Sequence, residues 1–207
     1  LHAMRWEKLT QQLDKVRASD DKNNPYRSAQ LLACMREILL RKTGKWANHT
    51  QMLDLLYAAL HNDNGLLHQV RTGEGKSIIT IMRASYLALN GSIVDVFSAK
   101  DSLSERDHEE FAPVLDAMGI SHRHINANSD ATGGVFKNGV GTINYATIGN
   151  FSLYHSRHIW NGTSKTSLKK ENRVAFLDEA DHILLDELTQ FNFSAGEKDD
   201  GAHNLEA

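Results

Sequence analysis

The sequence predicts an α/β protein in which a parallel sheet carries helices on both faces, after an N-terminal helical extension. Over residues 1–62, apolar residues recur every three or four positions, as in amphipathic helices. Beyond this point short apolar runs alternate with helical patterns. Such alternation is typical of parallel sheets, because each strand returns through a helix that covers the sheet. We therefore expect a helical segment over 1–62, an α/β lobe over 63–193 and a mobile tail over 194–207.

The composition of the 207 residues narrows the class of protein. Hydrophobic residues make up 41%, charged residues 24%, and there are two prolines, which excludes a disordered or collagen-like chain. The net charge of −3 argues against a nucleic-acid partner, since such proteins present a large basic face. The single cysteine, Cys34, cannot form an internal disulfide, and no apolar run reaches the ~20 residues of a membrane span. The N-terminus lacks the apolar core of a signal peptide, so we expect a soluble, cytoplasmic protein.

Three helices are predicted in the extension, over Met4–Arg17, Tyr26–Lys42 and Thr50–His61. Pro25 prevents a helix from crossing the polar stretch between the first two, and Gly44 ends the second. The sequence leaves open whether these helices pack on the lobe or belong to a neighbouring domain.

The lobe is predicted to contain five strands, each followed by a turn or a helix. The strands are Leu66–Val70, Ile93–Ser98, His122–Ile125, Thr142–Ala146 and Arg173–Leu177. The helices are Lys76–Leu89, Ser104–Met118, Thr147–Ile159 and Ala180–Leu188, with a polar loop over Asn161–Asn172.

A Gly-rich segment, Val70–Ser77 with the sequence VRTGEGKS, joins a predicted strand to a predicted helix. Its successive backbone N–H groups can point at a phosphate chain, and Gly73 and Gly75 allow the tight backbone. Lys76 would place its charge on the β- and γ-phosphates, and the Ser77 hydroxyl would bind Mg²⁺. The strict form of this motif has Gly at the first position of the segment; the alternative is a Gly-rich turn with an incidental lysine. The candidate nucleotide-binding residues are Arg71, Thr72, Gly73, Glu74, Gly75, Lys76 and Ser77.

The segment Val174–Asp181, VAFLDEAD, places acids at the carboxyl end of a buried strand. Ligands of open α/β sheets bind at that end. Asp178 would hold Mg²⁺ through a water, and Glu179 would orient and deprotonate the attacking water. An acidic helix N-terminus is the alternative, since the helix dipole favours acids there. The Gly-rich segment about a hundred residues earlier favours the catalytic interpretation.

Histidines recur along the chain, and His122 and His124 would share one strand face. Because no cysteine or carboxylate stands at ligand spacing from them, we expect surface histidines rather than a metal site.

Four segments of the chain resemble stretches of the SecA preprotein-translocase ATPase family, over about residues 48–196. They are Val70–Ser77, Ser98–Asp107 (SAKDSLSERD), Gly141–Leu153 (GTINYATIGNFSL) and Ala175–Glu187 (AFLDEADHILLDE). The Asp-Glu-Ala-Asp tetrad at 178–181 also fits helicases, whereas three features favour SecA: Glu74, Arg106-Asp107 and Asp186-Glu187.

The resemblance implies a RecA-like P-loop fold, a three-layer parallel sheet, with ATP and Mg²⁺ as cofactors. It makes Lys76 and Glu179 catalytic residues and Ser77 and Asp178 the metal ligands. Gln51, together with Leu60-His61, resembles the family's element that reads adenine.

The resemblance also implies a longer motor. In SecA a second lobe supplies an arginine finger, and a peptide-binding domain interrupts the first lobe about where Phe191–Gly196 stands here. Unfolded polypeptide and a membrane translocon would be partners through those parts, with peripheral contact to a membrane. Loss of an arginine finger costs on the order of 10³–10⁵ in rate, so we expect negligible hydrolysis by this lobe alone. A helicase-type ATPase lobe and a non-hydrolysing nucleotide-binding module are the alternatives, and the sequence predicts no oligomeric state.

Overall fold

The computed structural model describes residues 1–19, 21, 24–61, 65–71, 73–129, 141–160 and 172–187. The α-helices in these ranges are α1 (Trp6–Arg17), α2 (Pro25–Thr43), α3 (His49–Leu60), α4 (Lys76–Leu89), α5 (Asp101–Ala117) and α6 (Ile148–Trp160). The strands are β1 (Ile93–Phe97), β2 (Ser121–Ile125), β3 (Thr142–Ala146) and β4 (Arg173–Leu177). A π-helical stretch, His182–Glu187, follows β4.

The described strands form one parallel sheet in the order β2-β3-β1-β4. Ile93 of β1 lies opposite Thr142 of β3 and Arg173 of β4, so the carboxyl ends of these strands meet at one edge. Side chains alternate between the two faces along each strand. Val94 and Val96 join the core formed with α2, α4 and α5, whereas Phe97 packs with residues of α6. The predicted parallel sheet with helices on both faces is therefore confirmed.

The N-terminal helices pack on the lobe and share its core. One continuous cluster of buried side chains includes Leu9 of α1, Leu31 of α2, Ile81 of α4 and Val94 of β1. Polar contacts add to this packing, because the hydroxyl oxygens of Ser28 in α2 and Tyr86 in α4 share a hydrogen bond of 2.8 Å. Arg27 also connects the elements, by donating to the carbonyl of Val16 at 3.1 Å and to the Asn90 side chain at 2.7 Å. This arrangement answers the question that the sequence left open.

Capping residues explain where α2 and α3 begin. The side chain of Asn24 accepts a hydrogen bond from Tyr26 N at 2.9 Å, and Pro25 occupies the first helical position, where its missing N–H costs nothing. Asn48 and Gln51 form a reciprocal capping box at the start of α3, with N–H···O distances of 2.9 and 2.8 Å. The chain reverses after α2 at Gly44, whose φ of 70° suits glycine.

Three polar side chains from adjacent strands form a hydrogen-bonded network on the face of the sheet that α6 covers. Asp95 is 3% exposed and lies in β1, between Asn144 of β3 and Arg173 of β4. Its Oδ1 accepts from Asn144 Nδ2 at 2.9 Å and from Arg173 Nη2 at 2.9 Å, while Arg173 Nε donates to Oδ2. A buried carboxylate needs such partners, and here they join three adjacent strands.

Most predicted elements are confirmed, with bounds shifted by a few residues, but the strand prediction for Leu66–Val70 is wrong. This segment forms neither helix nor strand, and Leu67 is 93% exposed. Strand formation requires a neighbouring strand to pair the backbone, and no described strand pairs with this segment. In the described part of the chain, this segment contacts the N-terminal helices through His68 Nδ1, which lies 3.1 Å from Asp54 Oδ1 of α3.

The segment after β4 is mainly π-helical rather than α-helical. A helix was expected over Ala180–Leu188, and the π-helical stretch occupies most of that range. Thr72, the predicted polar loop up to residue 171, Leu188 and the predicted tail lie outside the described residues. None of the helices in the described part of the chain is long and apolar enough to cross a membrane.

Candidate nucleotide-binding site

The Gly-rich segment leads directly into α4 through two glycines with positive φ. Gly73 has φ +85° and Gly75, the N-cap of α4, has φ +79°. Both values lie in the left-handed region that glycine adopts without a steric cost. No side chain caps the first turn of α4 within the described residues. Within the described residues, the amides of Lys76 and Ser77 have no acceptor, whereas the Ile78 amide donates to the Gly75 carbonyl at 3.0 Å. The first two amides of α4 therefore remain available to an anion, as the prediction of a phosphate site requires.

The residues of the Gly-rich segment differ in their exposure to solvent. Arg71, Gly73 and Glu74 are exposed, whereas Lys76 and Ser77 are half-buried at the start of α4. The Glu74 amide donates to the carbonyl of Arg71 at 3.1 Å, which closes a turn. The first part of the segment is therefore open to solvent, whereas Lys76 and Ser77 are partly covered by the rest of the protein.

Gln51 contacts the Gly-rich segment from α3. Its Nε2 donates to the carbonyl of Glu74 at 2.8 Å, while its Oε1 accepts from the amide of Asn48. A Cβ added to Gly75 would lie 2.5 Å from the same Nε2. The Gln51 side-chain amide, which was predicted to read adenine, therefore connects the Gly-rich segment to α3. To contact adenine as well, Gln51 would have to use the second hydrogen of Nε2 or rotate its side chain.

Ser77 and Asp178, the two predicted metal ligands, line one cavity at the carboxyl edge of the sheet. Asp178 lies there because its amide donates to the carbonyl of Phe97 at 2.9 Å and so continues the pairing of β4 with β1. We call this space the Ser77 cavity; its volume is about 10 Å³, which is room for one water-sized group. Its lining residues are Ser77, Thr80, Ile81, Val96, Ser98, Asp107, Phe111, Tyr145 and Asp178. The two motifs that the sequence separates widely thus converge.

The other two predicted catalytic groups lie outside the Ser77 cavity. Lys76 and Glu179 are not among its lining residues, and Glu179 is exposed. The backbone of Glu179 has φ +55°, which is uncommon for a residue with a Cβ and costs energy. Such strained positions are common at functional sites. The turn at Glu179 separates its side chain from that of Asp178.

Asp107 was not among the predicted site residues, yet it lines the Ser77 cavity. Its Oδ1 accepts two hydrogen bonds from the neighbouring Arg106, from Nε at 3.0 Å and from Nη2 at 2.7 Å. These bonds and the charge of Asp107 raise the pKa of Arg106, with smaller contributions from Glu110 and Asp178. Asp107 closes the Ser98–Asp107 segment that carries the family resemblance, so a signal was present in the sequence.

A cluster of histidines packs behind the Ser77 cavity. His108 Nε2 lies 2.9 Å from His122 Nδ1, whose ring in turn contacts Asp116 at 3.1 Å. His124 contacts Asp101 at 3.2 Å, and the ring of His108 lies against Tyr145. Burial, followed by the charges of His122 and His124, lowers the pKa of His108 to about 4. The expectation that His122 and His124 are surface residues is therefore wrong, because α5 covers that face of β2.

The chemistry of the Ser77 cavity suits Mg²⁺. Carboxylate and hydroxyl oxygens are the donors that this hard cation prefers, and it commonly keeps several of its waters. Tyr145, which is 2% exposed, also lines the cavity, and its hydroxyl finds no hydrogen-bond partner within the described residues. An unpaired buried hydroxyl indicates a place for a polar guest. Nowhere in the described ranges, this cavity included, is a group of three or more His, Cys, Asp or Glu side chains arranged to hold a metal ion.

The parallel sheet, with the Gly-rich segment and an acidic strand end at one edge, defines an α/β protein of the RecA-like class. The model of the SecA DEAD-like domain family matches residues 1–205, and the chain belongs to this family. The match extends beyond residues 48–196, over which the motifs resemble the family, and includes α1 and α2.

Several curated relatives are similar to most of the chain. Protein translocase subunit SecA 2 of Clostridioides difficile strain 630 is 28% identical over 172 residues, which cover 83% of this chain and 21% of that protein. The protein of the same name from Mycobacterium bovis BCG Pasteur is 33% identical, over 76% of this chain and 19% of its own length. Protein translocase subunit SecA of Nitrosococcus oceani is 29% identical, over 72% and 16%. The chain spans about a fifth of the length of these relatives.

Proposed function

We propose that the chain is the ATP-binding motor region of a SecA-type protein translocase. In a longer chain, this region would couple ATP hydrolysis to the movement of an unfolded polypeptide. The observation that carries the proposal is the convergence of Ser77 and Asp178 on one cavity beside the uncapped start of α4. Family membership and the names of the relatives support it.

In this proposal the predicted site residues divide between phosphate binding, metal binding and activation of the attacking water. The amides of the Gly-rich segment and of the first turn of α4 would bind the phosphates, and Lys76 would neutralise the β- and γ-phosphates. Ser77 and Asp178 would hold Mg²⁺, which supplies charge neutralisation at the transferred phosphoryl group. Glu179, at its exposed turn, would orient the attacking water and accept its proton.

The rest of the motor would come from other parts of a longer protein. By resemblance, the arginine that stabilises the transition state lies in a second lobe, so the 207-residue chain alone should bind nucleotide and hydrolyse it negligibly. Unfolded polypeptide and a membrane translocon are the proposed partners, with the motor at the cytoplasmic face of a membrane.

Titration of the chain with a fluorescent ATP analogue, with and without Mg²⁺, tests the proposal. Lys76→Ala should weaken binding about tenfold or more, since it removes a charge from the phosphates, and Asp178→Asn should weaken the Mg²⁺-dependent part. Lys8→Ala, on the exposed side of α1, is the matched control. Equal affinities for the wild type and Lys76→Ala would refute the proposed site.

Two further measurements separate the proposal from its competitors. A steady ATPase rate of the isolated chain that Lys76→Ala abolishes would contradict the expectation of negligible turnover. Salt-sensitive binding of single-stranded RNA, with ATPase stimulation, would favour a helicase-type lobe instead.

A further inference from the structure

The carboxylate of Asp107 faces the same small space as the two predicted metal ligands. It reaches the Ser77 cavity from α5, whereas Ser77 comes from α4 and Asp178 from the end of β4. Its side chain is only 15% exposed. Three oxygen-bearing side chains from three elements therefore surround a volume of about 10 Å³.

The contacts of Asp107 leave one carboxylate oxygen unused. Both hydrogen bonds from Arg106 go to Oδ1, and Oδ2 has no hydrogen-bond partner within the described residues. The hydroxyl of Tyr145, in the same cavity, is likewise without a described partner. The charge of Asp107 adds to burial in raising the pKa of this tyrosine, which indicates that the two groups are close. An acceptor and a buried hydroxyl thus lie, without described partners, beside a space that holds one water-sized group.

The ion pair of Arg106 and Asp107 does not act as a link between elements. The two residues are adjacent on α5, so their contact joins no two parts of the fold. The Arg106 side chain is 60% exposed, and exposed ion pairs contribute little to stability. The pair does fix the direction of the Asp107 carboxylate, and it places a cation near an acidic cavity.

We propose that Asp107 is a second carboxylate of the Mg²⁺ pocket, which positions water around the ion through its free Oδ2 while Arg106 holds Oδ1. The inference rests on the proposed function. Mg²⁺ in nucleotide sites binds one or two carboxylates and retains several waters, so a nearby acceptor strengthens its retention without direct ligation. Asp107 is then a positioning residue rather than a catalytic one.

The test compares the affinity for a fluorescent ATP analogue in Mg²⁺ and in EDTA. Asp107→Asn should weaken binding about tenfold in Mg²⁺, because it removes one charge-assisted hydrogen bond to metal-bound water. In EDTA its affinity should equal that of the wild type or exceed it, since a negative charge near the phosphates is gone. Glu109→Gln, at an exposed position of the same helix, removes an equal charge and should change neither affinity.

A conservative variant separates positioning from folding. Asp107→Glu keeps the carboxylate and should restore much of the Mg²⁺ dependence. The inference is overturned if Asp107→Asn has the Mg²⁺ dependence of the wild type, or if both variants lose affinity equally in Mg²⁺ and EDTA. If the wild type binds no nucleotide under either condition, the proposed function fails and the inference fails with it.

Discussion

Gln51 and Glu74 join α3 to the Gly-rich segment through a hydrogen bond of 2.8 Å between the Gln51 Nε2 and the Glu74 carbonyl. The same glutamine completes the capping box of α3 with Asn48. The Gln51 side chain therefore stabilises the start of α3 and also holds the conformation of the Gly-rich segment that we expect to bind phosphate.

We expect Gln51→Ala to destabilise the chain by about 1 kcal/mol, because it removes a helix cap, and to loosen the loop as well. Chemical denaturation measures the free energy of unfolding, and hydrogen exchange of the amides at 73–75 reports the loop. Thr50→Ala, at an exposed neighbouring position, is the control. Indistinguishable exchange at 73–75 in the two variants would show that the contact with Glu74 is dispensable.

Gly75→Ala should be more harmful than Gly73→Ala. Both glycines have positive φ, which costs alanine about 1–2 kcal/mol. A Cβ at Gly75 would also meet Gln51 Nε2 at 2.5 Å, whereas nothing lies within 4 Å of a Cβ at Gly73. A double-mutant cycle with Gln51→Ala measures the clash, because truncating Gln51 should relieve part of the cost of Gly75→Ala. Strict additivity of the two substitutions would rule out this steric explanation.

Arg173→Met should destabilise the chain by about 3–5 kcal/mol, since it leaves the buried carboxylate of Asp95 without its cation. Combining it with Asp95→Asn should recover much of this loss, as the uncompensated charge is then gone. Arg157→Met is the matched control, because Arg157 is exposed and, among the described residues, donates only to the carbonyl of Ala127. Urea denaturation gives all these values, and equal losses for Arg173→Met and Arg157→Met would contradict the role of the pair.

The His108 imidazole should make stability depend on pH. In the unfolded chain its pKa is near 6.5, whereas burial and the charges of His122 and His124 lower the folded pKa to about 4, against the opposing charge of Asp116. Between these values the unfolded chain binds more protons, so stability is lost as the pH falls from 6.5 to 4. Allowing for partial burial, the loss attributable to His108 should be roughly 1–3 kcal/mol.

Denaturation of the wild type and His108→Gln at several pH values measures that contribution. The variant should lose less stability below pH 6.5, and the difference between the two curves isolates His108 from the other acids. His49→Gln, at an exposed histidine, should follow the wild type. Parallel curves for the wild type and His108→Gln would exclude the buried imidazole as the cause.

Strong local patterns made much of the fold predictable. Helix α4 and strands β3 and β4 have the predicted bounds, because their apolar patterns are unambiguous and turn residues bracket them. Leu66–Val70 has an equally apolar pattern and is not a strand, since pairing depends on a neighbour that the local sequence does not encode. Local sequence thus predicts the tendency to form a strand, and the sheet decides the outcome.

The candidate site was predictable only where its residues belong to motifs. Ser77 and Asp178 follow from two recognisable segments, and the structure brings them together. Asp107 and Tyr145 lie in two of the segments that carry the family resemblance, but their meeting at the same cavity from α5 and β3 depends on tertiary packing, which the local sequence does not reveal. The resemblance predicts a role for Gln51, but its contact with the Glu74 carbonyl depends on how α3 packs against the Gly-rich segment.

The shared core of the N-terminal helices and the sheet bears on how the chain can be divided. Leu9, Leu31 and Ile81 belong to one buried cluster, so excising the first sixty or so residues would strip apolar contacts from α4 and β1. Recombinant fragments that begin at the Gly-rich segment would expose this surface and tend to aggregate, although they retain both phosphate and metal motifs. Removing α1 and α2 should therefore destabilise α4 and the sheet even where the Gly-rich segment and the acidic end of β4 are kept.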